Sequence, residues 1–150
     1  MKKTKKRMRI LSLLIVLALL TLLAACGKSE FGVTENTEKH MTITAENANK
    51  DASFMVGTLE ADDGEQIVIT SNLTQGAIKV RIIKTSEEQS ADQLPEMDDA
   101  AIITANCSKL EGDKQTETIS GDVPAGSYMV DAYCLEKASG TIQIDVKPAP

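Results

Sequence analysis

The chain has 150 residues, 42% of them hydrophobic and only 3% aromatic, with a formal net charge of −6. That length holds one domain with a modest core. Tryptophan is absent, which excludes the cysteine-tryptophan core of an immunoglobulin domain proper.

The first elements are a leader. Met1 is followed by Lys2, Lys3, Lys5, Lys6, Arg7 and Arg9, then by an apolar run from 10 to 25 broken only by Ser12 and Thr21. A basic start, an apolar middle and small residues before a cut are the parts of an export signal. The run falls short of the roughly 20 residues that span a bilayer as a helix, so export and removal are expected rather than a permanent span. All six basic leader residues leave with it, and 10 Lys and Arg then face 22 Asp and Glu, a charge of −12. Such a surface repels phosphate backbones and anionic headgroups, so nucleic acid is not an expected partner.

Leu23-Ala24-Ala25-Cys26 resembles the lipobox of bacterial lipoproteins, in which a branched apolar residue and two small ones precede a cysteine. The resemblance implies a diacylglycerol on the Cys26 sulfur, cleavage before Cys26, and attachment to the membrane through the lipid on its extracytoplasmic face. Gly27 is not the aspartate that retains lipoproteins at the inner membrane, so the resemblance implies the sole membrane of a one-membrane cell or the outer membrane of a two-membrane one. The implied organisation is a signal over 1–25, a lipidated flexible tether over 26–39 and a domain over 40–150.

From Met41 onward the apolar period is two, with short runs divided by turn residues. Residues 41–45, 53–60, 65–71, 78–82, 101–107, 115–120, 126–135 and 141–147 read as about eight strands, and no helix is expected after the leader. The fold class expected is all-β, an antiparallel β-sandwich, Ig-like or jelly-roll-like. Asp62-Asp63-Gly64 predicts a tight hairpin between 53–60 and 65–71. The last two strands predict another, with Cys134 facing Ile142 on an apolar side, and Tyr133 facing Gln143 and Asp131 facing Asp145 on a polar side. Val123-Pro124-Ala125-Gly126-Ser127-Tyr128 resembles the turn into a late strand of fibronectin-III-like and bacterial pre-peptidase C-terminal sandwiches. That resemblance implies a tyrosine hydroxyl tied back to a loop.

Cys107 and Cys134 remain once Cys26 is set aside; outside the cytoplasm an even remainder predicts a disulfide, the alternative being two buried thiols. His40 is the sole histidine, placed at the edge of the domain, where it reads as a solvated boundary residue rather than the base of a catalytic group. One histidine and two separated cysteines do not make a structural zinc site. The acidic stretch bearing Glu87, Glu88, Asp92, Glu96, Asp98 and Asp99 is a weak calcium candidate; no other cofactor is expected.

Two facing aspartates repel, so Asp131 and Asp145 ask for a counter-charge from Arg81 or Lys79. The alternative is a ligand face made of Asp131, Tyr133, Gln143 and Asp145, with the polar-aromatic character of a sugar contact. The function expected is a non-enzymatic binding module for an envelope polysaccharide or another exported protein. The alternatives are an envelope hydrolase using acidic residues and a purely structural envelope protein.

Overall fold

A computed structural model describes residues 28–85, 100–111 and 116–150. Nine strands follow one another: β1 (Glu30–Asn36), β2 (His40–Ala48), β3 (Ser53–Ala61), β4 (Glu65–Gln75), β5 (Ala77–Lys84), β6 (Ala101–Ser108), β7 (Glu117–Asp122), β8 (Gly126–Cys134) and β9 (Ala138–Pro148). They form two antiparallel sheets, β1-β2-β9-β4-β7 and β3-β8-β5-β6. The all-β sandwich is therefore as the period-two pattern predicts. The lipobox with Cys26 and the six candidate calcium ligands lie outside the described residues.

The alternation sets the core. Met41, Ile43, Ile67, Ile69, Ile142 and Ile144 point inward from one sheet, and Ile78, Val80, Ile82, Tyr128, Val130 and Ala132 from the other, all almost wholly buried. Burying apolar area of this kind is the main force joining the layers. Tyr128 is a large core side chain whose hydroxyl donates to the Pro124 carbonyl, which satisfies its one polar atom.

Three expectations are corrected. Residues 30–36 are not free tether: Phe31 and Val33 alternate inward, β1 pairs with β2, and the Phe31 ring lies 4.7 Å from that of Phe54 on the other sheet. The first described strand thus starts at Glu30, inside the span expected to be tether. Secondly, neither expected hairpin forms. β3 pairs with β8, and β4 with β7 and β9, so the turn at Asp62-Asp63-Gly64 passes from one sheet to the other. Gly64 does adopt the left-handed conformation that such a turn requires, at φ 81°. β8 and β9 likewise lie in different sheets, so Cys134 and Ile142 both point inward but meet across the core, not across a ladder. Alternation specifies which side of a strand is inward; it carries no information on which strand lies beside it. Of the eight links between consecutive described strands, six change sheets.

The third correction is the disulfide. Cys107 and Cys134 are both free and buried. Each is the register partner of Ile78, Cys107 on β6 and Cys134 on β8, with β5 between them. Two inter-strand spacings of about 4.8 Å separate their Cα atoms by roughly 10 Å, beyond the reach of a disulfide. Burial pushes both thiols up from their ordinary pKa, and the Ser71 hydroxyl partly offsets this at Cys107.

Candidate functional site

The sheet assignment divides the expected ligand face. Asp131 and Tyr133 lie on the outer face of β3-β8-β5-β6, whereas Gln143 and Asp145 lie on the outer face of β1-β2-β9-β4-β7. With the core between them, the four cannot touch one ligand. The aspartates do not oppose each other either: Asp131 pairs with Arg81, and Asp145 hydrogen-bonds His40.

On β8, Asp131 is the register partner of Arg81 on β5. The guanidinium donates to its Oδ2 from Nε at 2.7 Å and from Nη2 at 2.5 Å. Only 8% of Arg81 and 4% of Asp131 is exposed, although both point outward from the sheet. Two residues along, on the same face, Tyr133 pairs with Lys79 on β5 and with Ser53 on β3. The Arg81 Cζ atom lies 5.1 Å and the Lys79 Nζ atom 5.5 Å from the Tyr133 ring centroid, a cation–π distance for both. Asp51, Ser53, Arg81, Asp131 and Tyr133 line a shallow cleft of about 250 Å³.

This arrangement offers a half-exposed aromatic ring beside several hydrogen-bonding groups. A carboxylate has about four acceptor sites and the two guanidinium N–H groups occupy two of them. Asp131 and Asp51 can therefore accept further hydrogen bonds, and the Ser53 hydroxyl can donate or accept. No buried side-chain polar atom among the described residues lacks a partner.

The opposite outer face has another character. Thr42, Gln143, Thr70 and Thr118 form one continuous cross-strand row, and Thr44, Thr141 and Asn72 the next. The row containing Asp145 begins at His40, whose Nδ1 is 2.6 Å from Asp145 Oδ1. His40 Nε2 is 2.9 Å from Thr42 Oγ1 and 3.5 Å from Glu35 Oε2. The hydrogen bond to Asp145 is the main cause that raises the His40 pKa above its ordinary value. His40 is thus the first residue of β2 and held on three sides, not a loose boundary residue.

Hydroxyl, imidazole and carboxylate are strung here in the order of a hydrolytic triad. The rest of such a site is missing from the arrangement among the described residues. Thr42 and His40 lie on a sheet face in the ladders to β1 and β9, where no described set of free backbone amides converges to receive an oxyanion. The network reads as an ion pair bracing β1, β2 and β9.

A second hollow, of about 420 Å³, is lined by residues 29–34 and Thr44. It is formed mainly by one edge strand and brings no set of charged groups to a common point. At the turn between β3 and β4, Glu65 accepts from the Asp62 amide at 2.7 Å and from Lys39 at 2.6 Å, which together hold it below the usual carboxylate range, and Lys39, also bound to Asp62 at 2.9 Å, is raised above its own. Among the described residues no group of three or more His, Cys, Asp or Glu is placed to hold a metal ion, and no helix is long and apolar enough to cross a membrane.

The sequence named Asp131, Tyr133 and Arg81 but missed Asp51 and Ser53, which approach only because β3 is the neighbour of β8. Nothing in the local pattern of residues 51–53 announces that pairing.

No family model matches the chain, and no curated protein matches it. Solved structures of similar architecture include "CBM4 structure and function", 16% identical over 81% of this chain and 79% of that one, with a TM-score of 0.41. A carbohydrate binding module of Cellvibrio mixtus lichenase 5A, solved with cellotriose, is 10% identical over 84% of this chain and 92% of its own, with a TM-score of 0.40. The adhesin domain of Lys-gingipain from Porphyromonas gingivalis is 11% identical over 83% and 95%, with a TM-score of 0.41. These are distant likenesses, and the functional reading rests on this chain's own residues.

Proposed function

We propose that the protein is an extracytoplasmic lipoprotein, anchored by a lipid on Cys26, whose sandwich is a non-enzymatic module that binds carbohydrate of the cell envelope in the Tyr133 cleft. The single observation that carries the reading is the buried Arg81–Asp131 pair beside the cation-flanked Tyr133 ring on an outer sheet face. A buried ion pair is a poor means of stabilising a fold, because apolar residues of similar size do as well or better. Its value lies in holding donors and acceptors in fixed directions next to a ring. Hydroxyl-rich ligands need that combination: an apolar ring face against the aromatic, and hydroxyls directed to the polar groups at its rim.

The cleft is below the ~300–1,000 Å³ of sites that enclose drug-sized ligands. It suits one sugar ring or a chain end rather than a long oligosaccharide, and one such contact gives weak binding that an array of anchored copies would reinforce.

Two experiments test the reading. Labelled fatty acid should enter the wild type and not Cys26→Ala; equal labelling of both removes the anchor. In gels cast with envelope polysaccharide, migration of the wild type should be retarded and that of Tyr133→Ala should not. Equal retardation of the two proteins, or none of either, removes the cleft as the carbohydrate site.

A further inference from the structure

The cleft and the start of β1, the first described strand, lie at the same end of the sandwich. Glu30, the first residue of β1, is the register partner of Glu46 near the end of β2. The chain then turns through 49–52 into Ser53, the first residue of β3, and Ser53 pairs with Tyr133, next to last in β8. The Asp51 amide donates to the Cys134 carbonyl at 2.9 Å, which closes this end. β1 lies over β3 through Phe31 and Phe54, so both belong to one corner of the molecule.

Four peptide steps separate Cys26 from Glu30 and span at most about 14 Å. The two sheets are about 10 Å apart, and Ser53 and Tyr133 lie within one or two residues, about 3.3 Å each, of the strand ends. The cleft therefore falls within roughly 25 Å of the Cys26 sulfur.

From this placement we infer that the cleft takes the neutral sugar headgroup of a membrane lipid, in the same leaflet as the protein's own anchor. The inference rests on the lipoprotein and carbohydrate readings above and narrows them. A glycan farther from the membrane would have to fold back past the far end of the sandwich to reach Tyr133, whereas a lipid-linked hexose is already at the height of the cleft. An anionic headgroup is disfavoured by the mature charge of −12. A neutral hexose suits the Ser53 hydroxyl, which can donate or accept, and the two aspartates as acceptors.

The test is amide hydrogen exchange on the lipidated protein in phosphatidylcholine vesicles with and without glucosyl- and galactosyl-diacylglycerol, and in plain vesicles with added methyl glucoside and methyl galactoside. Glycolipid should slow exchange at 51–53 and 131–133 at least about fivefold in the wild type and leave Tyr133→Ala unchanged. The soluble glycosides should do the same only at high concentration. Protection by the soluble glycosides without protection by glycolipid overturns the headgroup inference and leaves the carbohydrate reading standing. Protection by neither overturns both.

Discussion

On the outer face of β1-β2-β9-β4-β7, the row Thr42, Gln143, Thr70 and Thr118 consists of small neutral polar side chains at ordinary surface exposure. On the outer face of β3-β8-β5-β6, the row Met55, Asp131, Arg81 and Thr104 places two full charges almost out of water. Both faces are made by the same alternation, and both strands at issue, β8 and β9, are interior to their sheets. The difference shows that outward-pointing and solvated are separate properties. Hydroxyl and amide rows do no more than satisfy a wet sheet. Charges taken out of water beside an aromatic ring have been positioned.

The largest expected effect breaks that contrast at its centre. Arg81→Ala or Asp131→Ala leaves one buried charge without its main partner and should destabilise by about 3–5 kcal/mol in denaturant unfolding. Joint replacement of Arg81 by Met and Asp131 by Leu should recover most of that loss. Gln143→Ala, on the other face, should stay within about 0.5 kcal/mol of the wild type. If Asp131→Ala and Gln143→Ala cost the same, the two faces do not differ energetically.

Binding sharpens the contrast further. Tyr133→Ala should weaken carbohydrate binding at least about tenfold, the size of one hot-spot contact, whereas Thr42→Ala and Gln143→Ala should leave it unchanged in the same titration.

The thiols test the sheet assignment behind both faces. Native Cys107 and Cys134 should resist alkylation, and both should react after denaturation with no reductant present. Protection after denaturation that only a reductant removes would mean a bond, and β5 could not then lie between β6 and β8.

The smallest effect is pH dependence on the threonine-rich face. The folded-state pKa of His40 is raised by Asp145, with Glu35 adding to it and the neutral Thr42 completing its contacts. The resulting stability is fully present below the ordinary value of 6.5 and is lost as pH rises through the raised one. The melting temperature should fall slightly from pH 6.5 upward in the wild type and show a weaker slope in Asp145→Asn, where only Glu35 still raises His40. With 31% of the His40 side chain exposed, solvent keeps the effect small.

The fold was legible because strands carry their orientation locally. Val80 and Ile82 alternate with Lys79 and Arg81, and Ile142, Ile144 and Val146 alternate with Gln143 and Asp145, so inward sides could be read residue by residue. Partner choice was not legible, because a hairpin and a link that changes sheets leave the same alternation. The candidate site inherited that gap. Asp131, Tyr133 and Arg81 were readable as chemistry, Gln143 and Asp145 were added to them through a hairpin that does not exist, and Asp51 and Ser53 were missed because β3 joins β8 from far away in sequence. β1 escaped notice because Phe31 and Val33 are too short an alternation to stand out from the polar residues around them.

The central claim, that carbohydrate is recognised by one outer face and not the other, is tested most directly by mapping amide chemical shifts during titration with a soluble glycoside that binds. The account predicts shifts concentrated at Asp51, Ser53, Arg81, Asp131 and Tyr133, with Thr42, Gln143 and Asp145 unmoved. Shifts concentrated on Thr42, Gln143 and Asp145 instead would contradict it.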